Sequence, residues 1–134
     1  MGIRLLKRLL ETIIFAGLLV TVGCMALGTP VGVKGAEEGK MTVHIEASSF
    51  EYRPNNIKVP ELGPLTLVVE NISGIEHNIT VTNPEGQVLK SVNLPPKKTT
   101  SVSIVLPAYG TYDFYCDKPF HAILGMKGQI QVGS

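Results

Sequence analysis

From residue 41 to residue 132, apolar side chains recur at every second position in one short segment after another. Only extended chain turns that spacing into a single buried face. Met41, Val43, Ile45 and Ala47 alternate with Thr42, His44 and Glu46. Residues 65–70 form a dense apolar run rich in β-branched side chains, and residues 77–82 alternate again. The turn Asn83-Pro84-Glu85-Gly86 then leads into a hairpin partner at 87–92. Val102, Ile104 and Leu106 share one face, as do Tyr112, Phe114 and Cys116, and a last segment turns Ile130 and Val132 inward. Only residues 50–56 read as irregular, with a short helical turn. Short strands separated by Pro and Gly turns make the expected fold all-β, an antiparallel Greek-key sandwich.

The N-terminus follows different rules. Arg4, Lys7 and Arg8 precede a stretch from Thr12 to Val33 that carries no charge over 22 residues. A basic start followed by an apolar run is the order of an export signal, and the run is long enough to form a membrane-anchoring helix. Residues 1–35 are therefore expected to be a signal peptide or membrane anchor, 36–40 a polar linker and 41–134 the folded domain. Cleavage after Gly28 or Gly35, retention as an anchor, and lipidation of Cys24 all place the domain outside the cytoplasm. From Glu37 onward there are 8 basic and 10 acidic residues, a formal charge of about −2. No basic patch forms, so no nucleic-acid partner is expected.

The chain has two cysteines, and Cys24 lies in the apolar segment, which leaves Cys116 unpaired in an exported domain. An inert buried thiol is one reading; a metal ligand is the other. Parity bears on the choice. His77 shares a face with Ile79 and Val81 at the start of one strand, and Cys116 shares a face with Tyr112 and Phe114 at the end of another. Antiparallel neighbours bring such positions to one end of a sandwich. His44 falls on the polar face of its strand and reads as a surface histidine.

Cys116, His121 and Met126 place a thiol, an imidazole and a thioether within 11 residues, and His77 adds a second imidazole. Two imidazoles, a thiolate and a distant thioether suit a copper ion that alternates between Cu(I) and Cu(II). Structural zinc is the competing metal, although a thioether is a poor fourth ligand for it.

With these residues in place, the chain resembles the cupredoxins, the mononuclear blue-copper proteins related to plastocyanin, azurin and rusticyanin. The likeness runs from about Met41 to Val132. It rests on the His77-Asn78 pair, the Tyr112-x-Phe114-x-Cys116 strand end, and Cys-x4-His-x4-Met followed by Gly128 and a final strand. The Cys-to-Met spacing is closest to that of rusticyanin and sulfocyanin. The resemblance implies one copper ion, with His77 as upstream ligand, Cys116 as the coloured thiolate, His121 as the imidazole nearest solvent and Met126 as the weak axial ligand. Asn78 matches the residue that ties the ligand loops together by hydrogen bonds, with its backbone N–H directed at the Cys116 sulfur. Phe120 departs from the related pattern, which has glycine there. A phenylalanine resists positive φ, so a differently shaped loop is expected.

The expected function is single-electron transfer between extracytoplasmic redox proteins by a monomer, with no catalysis. Pro119, Phe120, Ala122, Ile123 and Leu124 around His121 form the expected docking surface for transient partners, with at least one of Ile123 and Leu124 capping the core. The alternatives are a copper carrier or store that hands over metal, a domain of a larger oxidase or binuclear carrier, and a metal-free sandwich. A binuclear site needs two cysteines in one loop, and this loop has Cys116 alone.

Overall fold

The computed structural model describes residues 27–33 and 40–133. The expected N-terminal helix, Cys24 and most of the 36–40 linker lie outside the described residues. Among the described residues ten strands follow in order: β1 (Val31–Gly32), β2 (Met41–Ser48), β3 (Glu51–Arg53), β4 (Asn56–Val59), β5 (Gly63–Asn71), β6 (His77–Thr82), β7 (Val88–Leu94), β8 (Thr99–Leu106), β9 (Gly110–Tyr115) and β10 (Lys127–Val132). One sheet has the order β1-β4-β10-β9-β6-β7 and the other β3-β2-β5-β8. No helix long and apolar enough to cross a membrane occurs among the described residues.

The all-β sandwich is present, with two differences from the expected pattern. Residues 50–56 hold strand β3 and the start of β4 rather than a helical turn. Tyr52, the central residue of β3, is fully buried and meets Phe114 edge-on at 5.3 Å. The sheets are also mixed: β2 pairs with β5, and β4 with both β10 and β1, in parallel. Periodicity reports which face of a strand is buried, not the direction of its neighbour.

Alternation sets the core. Strand β2 buries Met41, Val43, Ile45 and Ala47, while His44 is exposed. Leu65, Leu67 and Val69 lie beside them on the same face of the sheet, in the neighbouring strand β5. Across the sandwich lie Ile57, Ile79, Val81, Tyr112, Phe114 and Ile130. Gly128 lets Phe114 pass over β10. A Cβ there would stand 2.3 Å from the Phe114 ring and 2.4 Å from the Asn55 carbonyl.

Strand β1 falls within the segment assigned from sequence to the export signal. It is bonded to the domain: Gly28 N donates to Asn55 Oδ1 at 2.8 Å, and Val33 N to Lys58 O at 2.9 Å. Three parallel strands, β1, β4 and β10, thus start at the same end of the molecule.

Candidate metal centre

Strand ends and one loop build the site. His77 opens β6 and is completely buried. Cys116 follows directly on β9, also completely buried, and is a free thiol. His121 sits half-buried in the loop between β9 and β10. The His77 and His121 Nδ1 atoms lie 3.2 Å apart, and Cys116 Sγ lies 3.4 Å from His121 Nδ1. One ligand atom from each residue falls within 4.8 Å of the other two. Donors bound to one ion at about 2.0–2.3 Å stand about 3.2–3.6 Å apart, so the donor set fits a single ion.

Met126 is buried just before β10, and its backbone closes the loop. Its N–H donates to His121 O at 3.0 Å, and its carbonyl accepts from Cys116 N at 3.0 Å. Inside that closure, Leu124 N donates to Phe120 O at 3.0 Å.

A cage that sequence reading missed holds His77. Asn71, fully buried at the end of β5, donates through Nδ2 to the carbonyls of Ile75 and Leu94, both at 2.9 Å. Its Oδ1 accepts from Ser73 Oγ at 2.7 Å, and Ser73 Oγ lies 2.9 Å from His77 Nε2. That contact occupies one ring nitrogen and leaves Nδ1 facing His121, the orienting role that outer partners play at metal sites. Burial, and then the neighbouring His121, hold the His77 imidazole below its usual pKa, so the ring stays neutral and able to coordinate.

Asn78 ties the loops together less directly than expected. Its side chain donates to Ser91 Oγ at 3.1 Å and accepts from Thr80 Oγ1 at 2.8 Å. Thr80 in turn reaches Asp117, beside Cys116, at 3.3 Å. No bond from the Asn78 backbone N–H to the Cys116 sulfur is present. Instead, Tyr52 Oη donates to the Asn78 carbonyl. Burial above all pushes the Tyr52 phenol up, with Cys116 and Asp117 adding to it, so it stays a donor. At the surface, Lys118 Nζ reaches Glu76 Oε1 at 2.7 Å, joining the loop before β6 to the loop after β9. That hydrogen bond holds the Lys118 ammonium above its usual pKa.

The loop around His121 brings two corrections. Phe120 has φ +67°, so the left-handed turn that glycine would favour is made by phenylalanine. Such a backbone costs about 1–2 kcal/mol. Neither Ile123 nor Leu124 caps the core: they are 75% and 52% exposed. Together with Phe120, 73% exposed, and Pro119, they leave an apolar rim around His121, while Ala122 is half-buried. Phe50, also at positive φ (66°), was missed from sequence and meets the His121 ring edge-on at 5.0 Å. Neither the strain nor the contact has a signature in residue order.

A family model described as "Cupredoxin-like domain" matches residues 15–132. No curated protein matches the chain. Among solved structures, auracyanin from Roseiflexus castenholzii superposes with a TM-score of 0.62 at 22% identity, covering 69% of this chain and 97% of its own. Auracyanin A, a "blue" copper protein from Chloroflexus aurantiacus, gives 0.60 at 19%, covering 71% and 100%. The metal-binding domain of a Cu(I)-exporting P-type ATPase from Streptococcus pneumoniae, solved with Cu(I), gives 0.63 at 15%, covering 81% and 100%. At these identities the likeness is one of fold. The family match spans most of the chain, and the donor set beneath it is compatible with a single copper ion. The chain therefore belongs to the cupredoxin-like family.

Proposed function

We propose that this protein is an extracytoplasmic electron carrier, a type 1 copper protein and not an enzyme. The observation that carries this reading is the convergence of one ring nitrogen from each of His77 and His121 with the Cys116 sulfur, all within 4.8 Å, walled by β strands on the His77 and Cys116 side. His77, Cys116 and His121 would hold the ion, and the Met126 thioether would add a weaker fourth donor. Bound there, copper supplies a one-electron couple whose two states tolerate this mixed soft and borderline ligand set. The protein contributes rigidity. His77 is fixed by Ser73 and Asn71, Cys116 by its backbone bond to Met126, and little nuclear motion accompanies a change of charge. Four protein ligands leave no position for a substrate, unlike a catalytic metal site. His121, the most exposed of the three clustered donors, is the exit for the electron. The exposed Pro119, Phe120, Ile123 and Leu124, with Ala122 beside them, form the surface on which a transient redox partner docks.

Copper titration followed by optical spectroscopy tests this. The copper-loaded protein is expected to show an intense visible band and a reversible potential, and Cys116→Ala is expected to abolish the band entirely. A retained band would remove Cys116 from the site. The second reading, a carrier that hands over Cu(I), draws on the likeness to the exporter domain. It predicts rapid loss of copper to a chelator, whereas the electron carrier keeps its ion through many redox cycles.

A further inference from the structure

The outermost strands of the two sheets are not alike. β1 and β7 flank one sheet, β3 and β8 the other. A flanking strand recruits further strands unless it is short, charged, bulged or covered. β1 has two residues and β3 three. β7 is longer, but Lys90 stands opposite the buried Val81, which puts a charge on its core-facing side. Its pairing with β6 also slips in register between Val81 and Thr82. β8 has none of these devices. Thr99–Leu106 holds 8 residues with no charge, proline or glycine, and it pairs with β5 residue for residue without a slip. No backbone hydrogen bond joins its other side to any described residue.

The alternation of β8 decides what fits beside it. Val102, Ile104 and Leu106 are buried, whereas Ser101, Ser103 and Val105 are exposed, Val105 by 64%. A second β8 running antiparallel about a two-fold axis at Ser103 sets Ser103 against itself, Val102 against Ile104 and Ser101 against Val105. Buried positions then meet buried ones and exposed positions meet exposed ones, so both faces of the joined sheet keep their character. The strand carries no charge, so the pairing places no like charges opposite each other.

Charge at the strand ends favours the same arrangement. An antiparallel run brings the start of one β8 beside the end of the other. The exposed Lys98 immediately precedes the start. The exposed Glu61 lies near the end, because Gly63 pairs with Leu106. Among the described residues neither side chain has an ion-pair partner within its own chain.

We propose that two copies of this chain associate through β8, antiparallel about Ser103, into one continuous eight-stranded sheet, in place of the monomer expected from sequence. β8 starts opposite Glu70, at the end of β5 where Asn71 reaches the His77 cage. The two metal centres therefore lie at opposite ends of the pair, and the apolar rim of each stays open to a redox partner. The proposal is independent of the metal chemistry.

Light scattering that separates protein mass from detergent mass tests this on the full chain in dodecyl maltoside micelles. The native sequence is expected at twice the mass of one chain. Ser103→Lys and Ser103→Glu each set like charges face to face and are expected to weaken association at least about fivefold. Their equimolar mixture is expected to recover the doubled mass, which misfolded variants would not do. Hydrogen exchange along β8 is expected to slow at least about tenfold between dilute and concentrated native protein. A single-chain mass for the native sequence, a doubled mass that survives Ser103→Lys, or a mixture that fails to recombine would overturn the proposal. So would exchange along β8 that does not respond to concentration.

Discussion

The two imidazoles of the site live in opposite surroundings. His77 opens a strand, is fully buried and is held at Nε2 by Ser73, which is in turn held by Asn71. His121 sits in a loop, half-exposed, with Phe50 on its ring and the strained Phe120 immediately before it. One half of the site is part of the sandwich core, and the other is part of the surface. The electron carrier proposed above would need both: a ligand that does not move, and a ligand that a partner can approach. The comparison also locates the cost. Strain is placed in the loop, where about 1–2 kcal/mol does not disturb packing, and the described strands carry no positive-φ residue other than glycine.

The largest expected effect separates the two histidines outright. In His121→Gly, added imidazole is expected to enter the half-open position and restore the visible band. In His77→Gly it is expected to restore none, because the position is sealed. Optical titration with imidazole checks both, and rescue of His77→Gly would erase the distinction. Next in size is Gly128→Ala, which drives a methyl into Phe114 and the Asn55 carbonyl beneath the strand half. A cost of about 3 kcal/mol, the upper range for overpacking, is expected by chemical denaturation. The loop counterpart runs the other way. Phe120→Gly relieves the left-handed backbone, and after the greater unfolded-state freedom of glycine a net gain of about 0.5–1 kcal/mol is expected in the same measurement.

The smallest effect is a pH dependence of the metal-free protein. The His77 pKa is held below its usual value when folded, so the unfolded chain binds the proton first. Stability from this source is complete above the unfolded histidine pKa of about 6.5 and is lost as the pH falls through it toward the lower folded value. Thermal midpoints at pH 7.5 and 5.5 are expected to differ more for the native sequence than for His77→Gln.

Residue order alone carried the inward parity of His77 and Cys116, because β periodicity reports faces directly. The bunching of Cys116, His121 and Met126 was equally plain, because one loop holds all three. The outer supports were not legible. Asn71 and Ser73 reach His77 through a turn whose side-chain bonds leave no periodic trace. Phe50 meets His121 only once β2 and the ligand loop are packed together. The left-handed turn at Phe120 ran against side-chain preference, which argues locally and yields to a loop closed by backbone bonds at both ends. Strand β1 was hidden in the uncharged stretch, since two residues cannot display a period.

That two-residue strand has a consequence for self-association. An open sheet edge offers a row of free amides and carbonyls on which another chain can template. β1 covers the outer side of β4, and being only two residues long it presents too short a row to recruit a neighbour. A chain trimmed past Val33 would uncover β4 and become a nucleus for aggregation.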